Sequence, residues 1–447
     1  MGSGSVAAVT EREIHELGGQ LRAAASAWAA RDGSFDERAT TRLRHHAIAR
    51  CHEYYRATIP AYRRLCVEMD VGDTAPLELL AERCTVTEDL FKSYEAGWLG
   101  DRDFAALSDW LRDVGAEPIP ASAAAARDVD DWLDRLEAGG VHVLYSSGTS
   151  GKLSFVPRGE GSWNAYRANG PSYLMYRVQR LGIDLSAMDG AVLGFRGGRM
   201  GIQQAGAELS RYLPTVRYLY DWEIRAETLR ALLTPPVAGA PMPAGGTPMT
   251  VGQDQAYWRF LAALRRSNDA GRAVWLFGAP YQVHRLCALM QAVDAPPLRP
   301  GSVVTLGGGW KAFEGERVDR STLGALIEAT LGVPPERVLE AYAMVELNTP
   351  LMRCPQDRYH VPPILEPWVF DDALLPRPPE EDVTGTFGFM DPTATSYPAF
   401  LATGDQVRLV RAPCPCGLVG PAVVGEVRRT SGHEVRGCGG ILATVRA

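Results

Sequence analysis

Lysine is nearly missing from this chain. Of its 46 basic residues only Lys92, Lys152 and Lys311 are lysines, and the rest are arginine. A lysine kept against that bias marks a position that wants a compact point charge rather than a planar fork. Long apolar runs are missing too: no stretch of about 18 apolar residues occurs, so no membrane span is expected. There is no extended basic run and the net charge is −7, so no nucleic-acid partner is expected. The opening Met1-Gly2-Ser3-Gly4-Ser5 has no apolar signal core, which makes the cytoplasm the expected location. The eight cysteines are then expected to serve as thiols, metal ligands or nucleophiles, not as a disulfide framework. Internal repeats and heptads are absent.

With 447 residues, 46% of them hydrophobic and 22% charged, the chain can fill one large domain or two to three ordinary ones. From Thr10 to Val71, apolar residues recur at three- and four-residue spacing, which predicts helices. The aromatics and histidines at His45, His46, His52, Tyr54, Tyr55 and Tyr62 read as the packed face of such a helix. Between Val141 and Leu306 the pattern alternates strand and helix. Ala191-Val192-Leu193-Gly194-Phe195, Val274-Trp275-Leu276-Phe277 and Val303-Val304-Thr305-Leu306 read as buried strands running into glycine-rich turns. That pattern predicts an α/β sheet with ligands at the strand carboxyl ends. Residues 234–250, rich in Pro, Gly and Ala, read as a surface loop, and short strands follow Leu365. The expected division is a helical N-terminal region at 1–130, an α/β core at 131–365 and a β-rich terminal subdomain at 366–447.

Chemistry concentrates first in Ser146-Ser147-Gly148-Thr149-Ser150-Gly151-Lys152, directly after the apolar run Val141-His142-Val143-Leu144-Tyr145. Glycines that bare backbone amides, the hydroxyls of Ser147, Thr149 and Ser150, and one ammonium make a cradle for a polyphosphate. It is not a Walker A loop, because Ser146 and Leu153 stand where that motif needs Gly and Ser or Thr. The second lysine with a glycine run is Lys311, in Gly307-Gly308-Gly309-Trp310-Lys311; Lys92 follows Phe91. Further along lie Ala341-Tyr342-Ala343-Met344-Val345-Glu346-Leu347-Asn348 and Thr403-Gly404-Asp405.

Taken in order, these stretches resemble the adenylate-forming superfamily of acyl-CoA synthetases, luciferases and peptide-synthetase adenylation domains. Within it the chain is most similar to acyl-protein synthetases of the LuxE type. That likeness is carried by residues 146–152 and 307–311, Phe91-Lys92, Val345-Glu346-Leu347-Asn348-Thr349, His360-Val361-Pro362-Pro363, Thr393-Ala394-Thr395-Ser396-Tyr397-Pro398-Ala399-Phe400 and Gly437-Cys438. It runs from about residue 40 to the end. The resemblance implies an α/β adenylate-forming large domain with a terminal β subdomain, lacking the usual mobile C-terminal domain and its catalytic lysine. It also implies site roles: Ser147, Gly148, Thr149, Gly151 and Lys152 on the ATP β and γ phosphates, Gly307, Gly308 and Gly309 beside the adenine, and Tyr342 stacked on it. Glu346 would hold Mg²⁺, Asp405 the ribose hydroxyls, and Arg428, or Arg429 instead, the ribose-phosphate charge. Lys311 is the remaining cation available to the carboxylate or the α-phosphate.

In acyl-protein synthetases the cysteine at the place of Cys438 takes the acyl group from the adenylate as a thioester and passes it to a reductase partner. Here glycines flank Cys438, and Arg436 and His433 stand near it in sequence to lower its pKa. One departure from the luminescence enzymes is Cys354 and His360, six apart, followed by Cys414-Pro415-Cys416-Gly417. Three Cys and one His are the ligand set of a structural zinc site, and the Cys-x-Cys-Gly turn resembles one in phenylacetate-CoA ligases. The expected function is ATP-dependent activation of a carboxylic acid with transfer to Cys438 and then to a reductase or carrier protein. Two alternatives stay open: a ligase forming acyl-CoA or amides, and a non-catalytic, zinc-braced interaction protein.

Overall fold

A computed structural model describes residues 9–147, 152–233, 249–309, 318–378 and 382–429. The chain divides into two compact units, one of residues 1–143, 156–173 and 346–430, the other of residues 144–155, 174–345 and 431–447.

The first unit begins with helices whose ends are written in the sequence. Thr10 accepts a hydrogen bond from the Glu13 N–H and starts Glu11–Ala30; Asp36 does the same for the Ala39 N–H and starts Glu37–Thr58. Each cap satisfies an amide that the first turn leaves open. Ile59 turns extended and Pro60 opens the next helix, Pro60–Glu68, because proline is tolerated at a first turn and not within one. These helices bury Ile14, Ile48, Cys51, Tyr55 and Tyr62 in one cluster with Met390 and Phe400. Tyr55, Tyr62 and Phe400 meet edge to face at centroid separations of 5.5, 5.5 and 6.2 Å.

The sheet of this unit runs Glu366–Phe370, Asp382–Met390, Phe400–Val410, Ala422–Arg429, Arg358–His360, Leu351–Arg353, every neighbouring pair antiparallel. Val86–Thr87 adds a short parallel pairing to Leu401 and Ala402. Gly385 and Gly388 have no room for a side chain. A Cβ on Gly385 would lie 2.3 Å from the Phe370 carbonyl oxygen, and one on Gly388 2.3 Å from the Phe370 ring.

The second unit holds a parallel sheet in the order Val216–Glu223, Met188–Gly197, Ala273–Gly278, Val303–Leu306, Val338–Tyr342. Its central strands are apolar but for Thr305, as suits strands covered on both faces. The chain leaves Met188–Gly197 toward one edge, then returns on the other side with Ala273–Gly278. That reversal places a topological switch point at the carboxyl ends of these two strands, where open α/β sheets leave a crevice. The buried Trp275 donates its indole N–H to Thr305 Oγ1 on the adjacent strand at 2.8 Å. Thr305→Val leaves that indole unpaired and is expected to lower stability by about 1–3 kcal/mol in urea unfolding, with Thr305→Ser recovering most of it; an unchanged midpoint for Thr305→Val would refute this.

Candidate functional site

In the second unit, the glycine turn and Tyr342 fall at the carboxyl ends of neighbouring parallel strands. Leu306, the last residue of its strand, is in register with Glu340, two before Tyr342. The Gly307 N–H donates to the Gly278 carbonyl at 3.1 Å, which ties the turn to the end of the next strand over. Gly308 and Gly309 adopt φ of 82° and 62°, the left-handed region that glycine enters without strain. Consecutive left-handed glycines at a strand end leave backbone open to a ligand. Tyr342 is half-buried. Lys152 is half-buried and directly precedes the strand Leu153–Arg158; Ser147 ends its partner strand, His142–Ser147. Gly148, Thr149, Gly151, Lys311 and Cys438 lie outside the described residues, as does the side chain of Ser147.

In the first unit a buried polar network surrounds the loop that carries Glu346. Arg158 is fully buried, and its Nε and Nη2 each donate to Asn348 Oδ1 at 3.1 Å. Nη2 also donates to the Tyr397 hydroxyl at 3.0 Å, and that hydroxyl donates to the Glu346 carbonyl at 3.1 Å. The guanidinium lies 4.5 Å from the Tyr166 ring centroid and 5.2 Å from that of Tyr397. The charge is thereby held by hydrogen bonds and ring faces where water does not reach. The Asn348 N–H donates to Asp391 Oδ2 at 3.1 Å, while the Thr393 N–H and hydroxyl donate to Asp391 Oδ1 at 2.9 and 2.6 Å. Burial pushes the Asp391 carboxyl above its ordinary range against the pull of these bonds and of Arg158. Asn169 donates to the hydroxyls of Thr349 and Thr393, closing the network.

Glu346 is buried within this network. Asp405 is buried in the strand Phe400–Val410, its N–H donating to Thr403 Oγ1 at 3.1 Å, while Thr403 Oγ1 donates to the Phe387 carbonyl. Asp405 is in register with Arg429, and Gln406 with Arg428. Side chains alternate along a strand, so Arg428 lies on the other face from Asp405. Arg428 is exposed and pairs with Glu426 at 3.1 Å, a contact worth little in water.

The third constellation in this unit is the thiol and imidazole quartet. Leu351–Arg353 and Arg358–His360 form a hairpin; its turn is closed by the Asp357 N–H on the Cys354 carbonyl and the Cys354 N–H on the Arg358 carbonyl. The hairpin brings Cys354 and His360 together. His360 is also in register with Ala422, so the turn before that strand, where the Gly417 N–H bonds the Cys414 carbonyl, delivers Cys414 and Cys416. The four donor atoms all lie within 4.8 Å of one another. Cys354 Sγ and Cys414 Sγ stand 3.8 Å apart, and Cys416 Sγ is 3.2 Å from His360 Nε2. Two thiolates at about 2.3 Å from a tetrahedral zinc ion are about 3.8 Å apart, so the spacing fits. Nδ1 of His360 is buried with no protein partner. Burial opposes ionisation of Cys354, but the hydrogen bond with His360, the backbone hydrogen bonds at Arg358 and Gln356 and the His360 charge together hold that thiol below its usual range; burial pushes Cys416 up to about 12.

Arg158, Asp391 and Asn169 are the members that sequence reasoning misses. A lone arginine at the end of an apolar strand carries no spacing signal, and only its burial marks it. Arg158→Met strips Asn348 and Tyr397 of their shared donor and is expected to cost about 3 kcal/mol or more in urea unfolding. Arg158→Lys keeps the charge without the planar fork and should restore only part of this; a loss under about 1 kcal/mol for Arg158→Met would overturn the central role of this arginine.

Comparison with known proteins bears on these constellations. Residues 249–445 match the family described as acyl-protein synthetase, LuxE. The chain is 32% identical over 199 residues to a long-chain-fatty-acid–luciferin-component ligase of Vibrio harveyi, covering 43% of this chain and 50% of that protein. It is 31% identical over 209 residues to a protein of the same name from Aliivibrio fischeri, covering 44% and 53%. The chain thus spans about half the length of the curated relatives it matches. Among solved structures it is similar to 2-hydroxyisobutyryl-CoA ligase in an open conformation, with a TM-score of 0.56 at 16% identity over 87% of this chain and 69% of that one. A postadenylation-state structure of the same ligase gives 0.53 at 17% identity, over 87% and 67%. The fold is that of adenylate-forming ligases, as the strand and motif order predicts. Among the described residues no helix is long and apolar enough to cross a membrane.

Proposed function

From the match of residues 249–445 to the LuxE acyl-protein synthetase family, we propose that this chain activates a carboxylic acid with ATP and hands the acyl group to a thiol. A carboxylate oxygen attacks the α-phosphorus, and the bond to the leaving pyrophosphate breaks. A thiolate then attacks the acyl carbon and AMP departs. Both steps move charge more than they need covalent help, so the protein's contribution is positioning and electrostatics. The observation that carries the reading is the left-handed glycine turn at a strand carboxyl end with Tyr342 ending the neighbouring strand, in a chain with this family match.

The roles are assigned residue by residue. Ser147, Thr149 and Lys152 take the outer phosphates, with Gly148 and Gly151 baring amides. Gly307, Gly308 and Gly309 admit the adenine, Tyr342 stacks on it, and Asp405 accepts from the ribose hydroxyls. Arg429, in register with Asp405, neutralises phosphate charge in preference to Arg428, which lies on the other face of the strand. Lys311 meets the carboxylate or α-phosphate, and Glu346 would hold Mg²⁺, which would supply neutralisation of phosphate charge. Cys438 is the acyl acceptor, with a reductase or carrier protein next in line. The relatives' printed name puts long-chain fatty acids first among candidate acids, and the buried Phe195 and Phe277 beside the switch point suit an apolar chain.

Cys354, His360, Cys414 and Cys416 are proposed as a zinc site that pins the hairpin to the turn after Val410. Three thiolates and Zn²⁺ leave one negative charge. Arg358, whose Nη1 donates to the Ala412 carbonyl at 3.0 Å, and Arg31, beside Gly417, stand close enough to offset it. Cys414→Ser is expected to lose one equivalent of zinc per chain in mass-spectrometric metal analysis and to lower the melting temperature; zinc content equal to wild type would remove the site.

Acid-dependent exchange of ATP with labelled pyrophosphate tests the first step. Long-chain fatty acids should support exchange, and Lys152→Ala should reduce it by roughly a hundredfold, the usual cost of losing a charge-stabilising donor. No exchange across fatty, aromatic and amino acids would sink the proposal. For the second step, labelled acid should leave a hydroxylamine-labile acyl group on the protein, absent in Cys438→Ser while exchange persists. Label found on coenzyme A with none on protein would favour an acyl-CoA ligase instead.

A further inference from the structure

A second group of metal-ligating side chains lies in the helical part of the first unit, apart from every residue given a role above. His52 is on the helix Glu37–Thr58, Cys66 is in the last turn of Pro60–Glu68, and Cys84 caps Leu77–Arg83 with its N–H on the Leu80 carbonyl at 2.9 Å. All three side chains are buried, and one ligand atom from each falls within 4.8 Å of the others. Three helices that are separate in sequence thus converge on one point.

The hydrogen bonds fix the chemistry of that point. His52 Nε2 lies 2.8 Å from the Gly72 carbonyl oxygen. A carbonyl only accepts, so Nε2 carries the proton and Nδ1 presents its lone pair. This is the arrangement by which metal-bound imidazoles are oriented, the far N–H donating to a backbone carbonyl. Nδ1 is 3.0 Å from the Tyr62 hydroxyl, which also bonds both thiols. Cys66 Sγ and Cys84 Sγ stand 3.8 Å apart, the spacing of the thiol pair in the Cys354 quartet and that of two thiolates sharing a tetrahedral zinc ion. A disulfide would need these atoms at about 2.05 Å.

We propose that His52 Nδ1, Cys66 Sγ and Cys84 Sγ form a second site for a divalent thiophilic ion, zinc foremost, with the Tyr62 oxygen at the fourth position. Binding replaces two thiol protons with one M²⁺ and releases both to solvent. The product, two thiolates, a neutral imidazole and a doubly charged ion, carries no net charge. The Arg56 guanidinium acts on all three ligands and favours the two thiolates, in a core that also holds Tyr55, Val71, Leu80 and Ala81. Soft sulfur and imidazole donors select zinc over magnesium or calcium. The ion would fasten the turn at Gly72 and the end of Leu77–Arg83 to Glu37–Thr58, a structural role beside the chemistry proposed above.

The test is metal stoichiometry on the full chain after equilibrium dialysis against zinc and removal of the excess. Two equivalents per chain are expected in wild type, and one each in Cys84→Ser, His52→Ala and Cys414→Ser. Because a core variant can misfold, wild type and Cys414→Ser are also loaded with Co²⁺. Thiolate-to-cobalt charge-transfer absorption should persist in Cys414→Ser at a level set by two sulfur ligands. One equivalent in wild type that vanishes in Cys414→Ser would overturn the proposal, as would a Cys66–Cys84 disulfide in mass spectra of the unreduced protein. One equivalent that survives Cys414→Ser and vanishes in Cys84→Ser would uphold this site and reject the other.

Discussion

The first unit is organised around one buried positive charge. Arg158 is withdrawn from water, and a guanidinium in that position is tolerated only if its donors and its charge are met. Asn348 and Tyr397 accept from Nε and Nη2, the rings of Tyr166 and Tyr397 face the cation, and Asp391 supplies the opposing field. Each partner is then held in turn: Asn348 by Asp391 and the Thr393 carbonyl, Tyr397 by its bond to the Glu346 carbonyl. The loop bearing Glu346 therefore has its backbone held at the Glu346 carbonyl and at the Asn348 N–H. The Mg²⁺ role proposed for the Glu346 carboxylate would gain from such support, because its position is set before the ligand arrives.

The second unit meets a different constraint. Its parallel strands are buried on both faces, so they carry little but apolar side chains and offer no chemistry along their length. Polar function is left to the turns at the strand ends. There glycine does what no other residue does without strain: it bares amides and turns left-handed at Gly308 and Gly309. The contrast explains why candidate binding residues in this unit sit in turns, while those of the first unit sit inside hydrogen-bond networks.

Soft ligands show a related economy. The Cys354 quartet would carry a net negative charge with zinc and lies near Arg31 and Arg358; the His52 group would be neutral and has Arg56 acting on its thiols. In each case arginine stands near the thiols, which favours their ionised form.

Much of this was legible in the sequence, for reasons of period and local chemistry. Apolar runs ending in glycine identified the strands around Ala191, Val274 and Val303, and helical spacing identified the N-terminal helices. Motif order indicated the adenylate-forming fold, and four spaced ligands indicated the cluster of Cys354, His360, Cys414 and Cys416. Other features depended on tertiary structure. The His52, Cys66 and Cys84 cluster has no spacing signature, because its members come from three helices, and His52 reads in sequence as part of a packed face. Arg158 has no local mark at all; its meaning comes from partners some 190 and 239 residues away. Periodicity and turn chemistry act over a few residues, so sequence by itself determined the elements and the candidate ligands. Which buried groups meet was decided only when distant strands and helices packed, since burial and pairing of charge are properties of that packing.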